Sequence, residues 1–173
     1  KSLKKIIIPN SVTKIGYNAF YGCESLDHIS IPSSVTKIKG RAFEGCPLKD
    51  ILIPSSITSI SSNLFSNCES LKKINIPSSI NIINGFAFSN CESLSEVKFE
   101  KNSSLNYIYY DTFSFCISLK RISLPSSVKM ISERVFSNSL SLEKVIFEYP
   151  ANIKTLKNHI FGKNINTKFC RNN

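Results

Sequence analysis

The chain has no tryptophan, one methionine and two histidines among its 173 residues. His28 and His159 are therefore the only imidazoles available for acid/base work. His28, between Asp27 and Asp50 of neighbouring segments, is an acid/base group on paper, but no nucleophile column accompanies it and a solvated surface histidine is the expectation. The sequence also lacks a phosphate-binding loop, a paired-carboxylate signature and a zinc helix. The chain reads as a non-enzyme, with no cofactor and no metal. No apolar run approaches the roughly 18 residues that a membrane helix needs, so no membrane insertion is expected, and no leader resembles a signal peptide. The chain opens at Lys1 without Met, so it reads as a fragment; the missing leader is uninformative, and both cell surface and cytoplasm stay open. Acidic residues are scarce, 12 against 22 Lys and Arg, for a formal charge of +10. Disorder is excluded, because Ile, Leu, Val and Phe number 55, far above the roughly 20% below which chains fail to build a core.

What is present is a period. Phe20, Phe43, Phe65, Phe88, Phe113, Phe136 and Phe161 follow one another at steps of 22 to 25 residues. Pro9, Pro32, Pro54, Pro77 and Pro125 keep the same rhythm, and Cys23, Cys46, Cys68, Cys91 and Cys116 each fall three residues after a Phe. The shared unit reads I-P-x-S-[VI]-x-x-I-x-x-x-[AL]-F-x-[GN]-C-x-S-L-x-x-I-x-I. The sequence divides into a half unit (1–8), repeats 9–31, 32–53, 54–76, 77–99, 100–124 and 125–147, and a degenerate last unit (148–173). Repeat two is one residue short at Cys46-Pro47-Leu48. Repeat five has Glu100-Lys101-Asn102 where Pro is expected and runs two residues longer. The last unit keeps Ile153, Leu156 and Phe161 but is expected to lose the Cys and the closing strand.

The period resembles the leucine-rich repeats of the BspA-like (Treponema pallidum-type) family, whose units run I-P-x-S-V-x-x-I-G-x-x-A-F-x-G-C-x-S-L, over about residues 3 to 161. The resemblance implies a curved solenoid of the kind found in bacterial surface proteins and in anaerobic protist parasites. The fold class expected is an α/β leucine-rich-repeat solenoid, with a parallel β-sheet on the concave face and short strands and 3₁₀ or helical turns opposite.

Each column has its own physical reason. The end of L-x-x-I-x-I alternates apolar and variable residues, as a half-buried strand does, and stacked copies predict one parallel sheet. The following Pro donates no hydrogen bond and ends the strand. Ser-Ser turns the chain, and Val35–Ile38 and its copies read as a second short extended segment. A-F-x-[GN]-C reads as one helical or 3₁₀ turn ended in a left-handed conformation at Gly22, Gly45, Asn67, Asn90 or Asn138. The Phe column is expected to be buried throughout. One Cys per repeat fits no zinc pattern, and parallel side chains give poor disulfide geometry. Ser139 stands where the sixth Cys belongs; serine replaces a small inward hydrogen-bond donor but neither a metal ligand nor a bridge. The column is read as a buried, reduced ladder, with Cys170 out of register.

Function is expected in the columns that the core does not dictate. Outward strand positions place Lys5, His28, Asp50, Lys73, Glu96, Arg121 and Lys144 in one column, Asn75 and Lys98 in another, with Lys72 and Lys120 alongside. This strip is the predicted partner-binding surface, for a protein partner that is acidic. Interleaved acids and the lack of a nucleic-acid fold signature argue against DNA or RNA. A second candidate patch gathers Ile82, Tyr107, Tyr109, Tyr110, Phe115 and Met130, where a polar column turns apolar; a contact site and a cover for the longer repeat-five loop both stand as readings. The uncapped Lys1–Gly16 end predicts self-association. Asn102-Ser103-Ser104 is a glycosylation sequon of the sort that chance supplies in an Asn/Ser-rich chain. Lys144-Val145-Ile146-Phe147 resembles a docking motif for protein phosphatase type 1, although Val145 and Phe147 fall in inward columns. The function read from all this is a protein–protein interaction module, with surface adhesion or host contact as the implied context; the alternative is an intracellular scaffold or regulator, such as a phosphatase regulator.

Overall fold

The computed structural model describes residues 3–162 and 168–171; Lys1 and Ser2 of the leading half unit, and residues 163–167 and 172–173 of the last unit, lie outside the described residues. Two rows of short strands wind around one apolar interior. In chain order these are β1 (Lys5–Ile7), β2 (Lys14–Ile15), β3 (His28–Ser30), β4 (Lys37–Ile38), β5 (Ser59–Ile60), β6 (Lys73–Ile76) and β7 (Ile82–Ile83). They continue as β8 (Glu96–Phe99), β9 (Tyr107–Ile108), β10 (Arg121–Leu124), β11 (Met130–Ile131), β12 (Lys144–Phe147), β13 (Thr155–Leu156) and β14 (Lys168–Arg171). The L-x-x-I-x-I segments supply one row and the segments after Pro-x-Ser the other. Every pairing is parallel and joins neighbouring units, as in Lys73↔Glu96, Arg121↔Lys144 and Tyr107↔Met130.

Alternation follows the sequence. In β10, Ile122 and Leu124 are buried while Arg121 and Ser123 are exposed. The Phe column forms the spine: Phe43, Phe65, Phe88, Phe113 and Phe136 are fully buried. With Phe20 and Phe161 at the half-buried ends, their rings stack at 5.4 to 6.0 Å between centroids. Beside the spine, the thiols of Cys46, Cys68, Cys91 and Cys116 donate to the carbonyls of Phe20, Phe43, Phe65 and Phe88 at 3.0 to 3.3 Å. Ser139 Oγ donates to Phe113 O at 2.7 Å in the same way, so the serine in that column keeps the bond. Burial pushes the Cys46 thiol up to about 11 and the Cys116 thiol up to about 12. All six cysteines are free.

Four expectations need correction. The long-strand row is not one sheet: it falls into β1-β3, β6-β8 and β10-β12-β14, and residues 49–53 of repeat two form no strand. Repeat two is short where Leu26, Leu71, Leu94, Leu119 and Leu142 donate back to the residue three before; Leu48 lies only two residues after Cys46, and that turn bond has no counterpart. Second, the A-F-x-[GN]-C stretch is no helical turn, and there is no helix among the described residues. Its amides alternate instead: Phe20 and Gly22 donate to Ala42 and Glu44 of the next unit, while Tyr21 and Cys23 donate three residues back. Ties between units thus replace half of the bonds that a helix would make. Third, that zigzag needs two left-handed residues per unit. The predicted Gly/Asn column is one; the other lies two residues before each Phe, at Asn18, Arg41, Asn63, Phe86, Asp111, Arg134 and His159. Fourth, the last unit does close, because β14 pairs with β12 and sets Lys168 beside Lys144 and Cys170 beside Ile146.

Candidate interaction surface

Strand alternation brings most of the predicted strip together. Lys5, His28, Asp50, Lys73, Arg121 and Lys144 are exposed and Glu96 is half-buried; Asn75 and Lys98 are exposed register partners, and Lys72 and Lys120 stand exposed beside them. Asp50 is in no strand, yet its carboxylate lies 3.5 Å from His28 Nδ1. Lys49 bridges to Asp27 at 3.1 Å, a hydrogen bond that lowers the Asp27 carboxyl. Glu96 accepts from Lys98 at 2.8 Å and from Lys73 at 2.9 Å, and these two bonds hold its carboxyl at about 2. Lys5, Lys72, Lys120, Arg121 and Lys144 have no ion-pair partner among the described residues. Sequence reasoning missed Lys168, which extends the strip by one unit. Its distance of 24 residues from Lys144 lies within the repeat step and would have found it.

The strip is also notched. Strands β8 and β10 are neighbours in space but are not hydrogen-bonded to one another. Both strands line a cleft of about 460 Å³, whose walls include Lys73, Glu96, Lys98, Arg121, Ser123 and Glu148.

The second patch is partly a true column. Ile82, Tyr107 and Met130 are register partners across β7, β9 and β11. Tyr107, Tyr110 and Phe115 are 38%, 42% and 46% exposed, and Ile82, Tyr109 and Met130 are half-buried. The Tyr110 ring lies over Gly85, where a Cβ would come within 2.7 Å of it, and meets Phe86 edge-on at 5.4 Å. Tyr110 therefore packs on repeat four rather than on its own loop. Val145 and Phe147 are buried, so the phosphatase-type motif has its two apolar residues in the core. Among the described residues no group of three His, Cys, Asp or Glu is placed to hold a metal, and no helix is long and apolar enough to cross a membrane.

Six copies of the BspA type leucine-rich repeat region match residues 1–104 and 50–168. The chain belongs to this family. This BspA-type chain is 28% identical to the pneumococcal vaccine antigen PcpA, with a TM-score of 0.77 over 86% of its own length and 41% of PcpA. It shares the fold of the T. pallidum leucine-rich repeat protein, at 24% identity and a TM-score of 0.59, covering 99% of this chain and 74% of that one. It also shares the fold of a leucine-rich cell surface protein from Faecalibacterium prausnitzii, at 22% identity and a TM-score of 0.50, covering 98% of this chain and 59% of that one. The BspA-type chain thus spans less than half of PcpA. A comparison with curated proteins finds no match.

Proposed function

We propose that this BspA-type solenoid is a protein-interaction module that grips an acidic partner along its long-strand face, in a surface-adhesion or host-contact context. One observation carries the reading: the outward strand columns project as a register-aligned strip while their inward neighbours are buried, so their chemistry is free of packing demands. Nine basic against four acidic side chains in the sequence's variable strand positions leave that face at +5. Mixed but net-positive faces steer acidic partners and set association rates. The surface context rests on the family resemblance. Burial of Val145 and Phe147 counts against the phosphatase-regulator form of the intracellular alternative.

The test is charge reversal at Lys73 and Arg121, applied to a partner captured by the wild-type chain. Association is expected to slow and lose part of its salt dependence, because exposed charges are screened beyond about 8 Å at physiological ionic strength. A partner whose affinity ignores both substitutions, or whose footprint avoids this face, overturns the reading. Localising the full-length protein separates surface from intracellular roles.

Self-association through the Lys1–Gly16 end is a second proposed contact. Supporting it, Leu3 and Ile7 are 46% and 68% exposed, and β1 pairs with β3 alone among the described residues. A strictly monomeric chain in light scattering at high concentration would exclude it.

A further inference from the structure

The strip is not uniform, and the difference lies in the cleft that β8 and β10 line. We infer that this cleft is the anchor point of the interaction face, receiving an aspartate or glutamate side chain of the partner against the Arg121 guanidinium. The inference rests on the acidic-partner reading above and deepens it from a face to a seat.

Two observations converge. The first is unused cation capacity. Of the three basic side chains lining the cleft, Lys73 and Lys98 are both committed to Glu96, at 2.9 and 2.8 Å. Arg121 has no carboxylate partner among the described residues. A guanidinium presents a planar fork that matches a carboxylate with two parallel hydrogen bonds. The second is room. The cleft holds about 460 Å³, ample for one acidic side chain with its water. A guanidinium offers donors only, which selects an acceptor with several lone pairs. A carboxylate is that acceptor on a protein partner.

Glu148, exposed and also lining the cleft, opposes an incoming anion, so its effect has the opposite sign to that of Arg121.

The experiment titrates the full chain with a hexaglutamate peptide at low salt, by calorimetry and by NMR of backbone amides and arginine Nε–Hε groups. The Arg121 Nε–Hε and the amides of residues 121–124 are expected to shift. Arg121→Gln is expected to weaken binding about ten-fold, Lys5→Gln and Lys144→Gln about two-fold or less, and Glu148→Gln to tighten it about three-fold. Equal losses for Arg121→Gln and Lys144→Gln, with shifts spread along the strip, would overturn the cleft and leave the charged face intact. No binding by hexaglutamate, or shifts confined to other faces, would overturn the face and the cleft together.

Discussion

The solenoid is interrupted twice, and the two interruptions differ in kind. Between repeats two and three both rows lose their ladder: residues 49–53 form no strand, and β4 is not paired with β5. A side chain takes over in part, with Ser61 Oγ donating to Ile38 O at 2.5 Å, beside a gap of about 140 Å³. The zigzag beside the spine still crosses, through Arg41, Phe43 and Gly45 to Ser62, Leu64 and Ser66, as does the Phe43–Phe65 stack at 5.7 Å. Between repeats four and five only the long-strand row opens; β7, β9 and β11 remain paired, and Glu100, in the longer corner of repeat five, is tied back to Ser78 at 2.9 Å. The contrast follows from where length changed. Repeat two lost a residue inside the turn that leads into its strand, so the unit cannot present that strand in step. Repeat five gained two at the corner after β8, where extra chain loops outward and costs little.

If the first interruption is a seam held by the spine, Phe65→Ala is expected to cost about 3–5 kcal/mol and to split urea unfolding into two transitions, whereas Phe88→Ala costs about as much within one transition. A single transition in both would make the interruptions equivalent. Replacing Pro47 with Glu-Ser restores the common spacing; each ladder bond regained is expected to add about 0.5–1.5 kcal/mol, with new amide-exchange protection at residues 51–53 and 59–60. Unchanged exchange there would separate the seam from the missing residue.

The second interruption carries backbone strain beside its one lost pairing. Phe115, 46% exposed with φ of 57°, stands in a column that the other five full repeats fill with Gly or Asn. Left-handed backbone costs a bulky residue about 1–2 kcal/mol, so Phe115→Asn is expected to stabilise the fold by about that energy, read as a higher melting temperature. A fall instead would mean that the ring packs for stability. The smallest difference is kinetic. Burial holds the Cys46 and Cys116 thiols protonated at neutral pH, so labelling by a thiol reagent waits on local opening. Cys46, which borders the seam, is expected to label faster than Cys91 and Cys116. The sign with pH also follows. A raised folded-state pKa means that the stability from these protonated thiols is complete below about 9 and declines as pH rises toward 11 and 12. A melting temperature flat across that range would contradict the buried ladder.

Much of this molecule is legible from the columns. Period, unit boundaries, spine, thiol ladder and outward strip all follow from residue type repeated in register, because a stacked unit meets the same environment as its neighbour and identical positions share one fate. Even Ser139 could be read in advance as a small inward donor. The second left-handed column could not be read, since Arg41, Phe86 and His159 carry no signature of that conformation; it is imposed by amides that must reach the next unit. Nor does the one missing residue at Pro47 announce that two sheets will part, or Glu100–Asn102 that a cleft will open beside Arg121. Those outcomes depend on whether backbone groups in different units come within hydrogen-bonding reach, a property of how units stack rather than of any residue in them. The chemistry of the strip was settled locally; its continuity was decided only when the chain closed on itself.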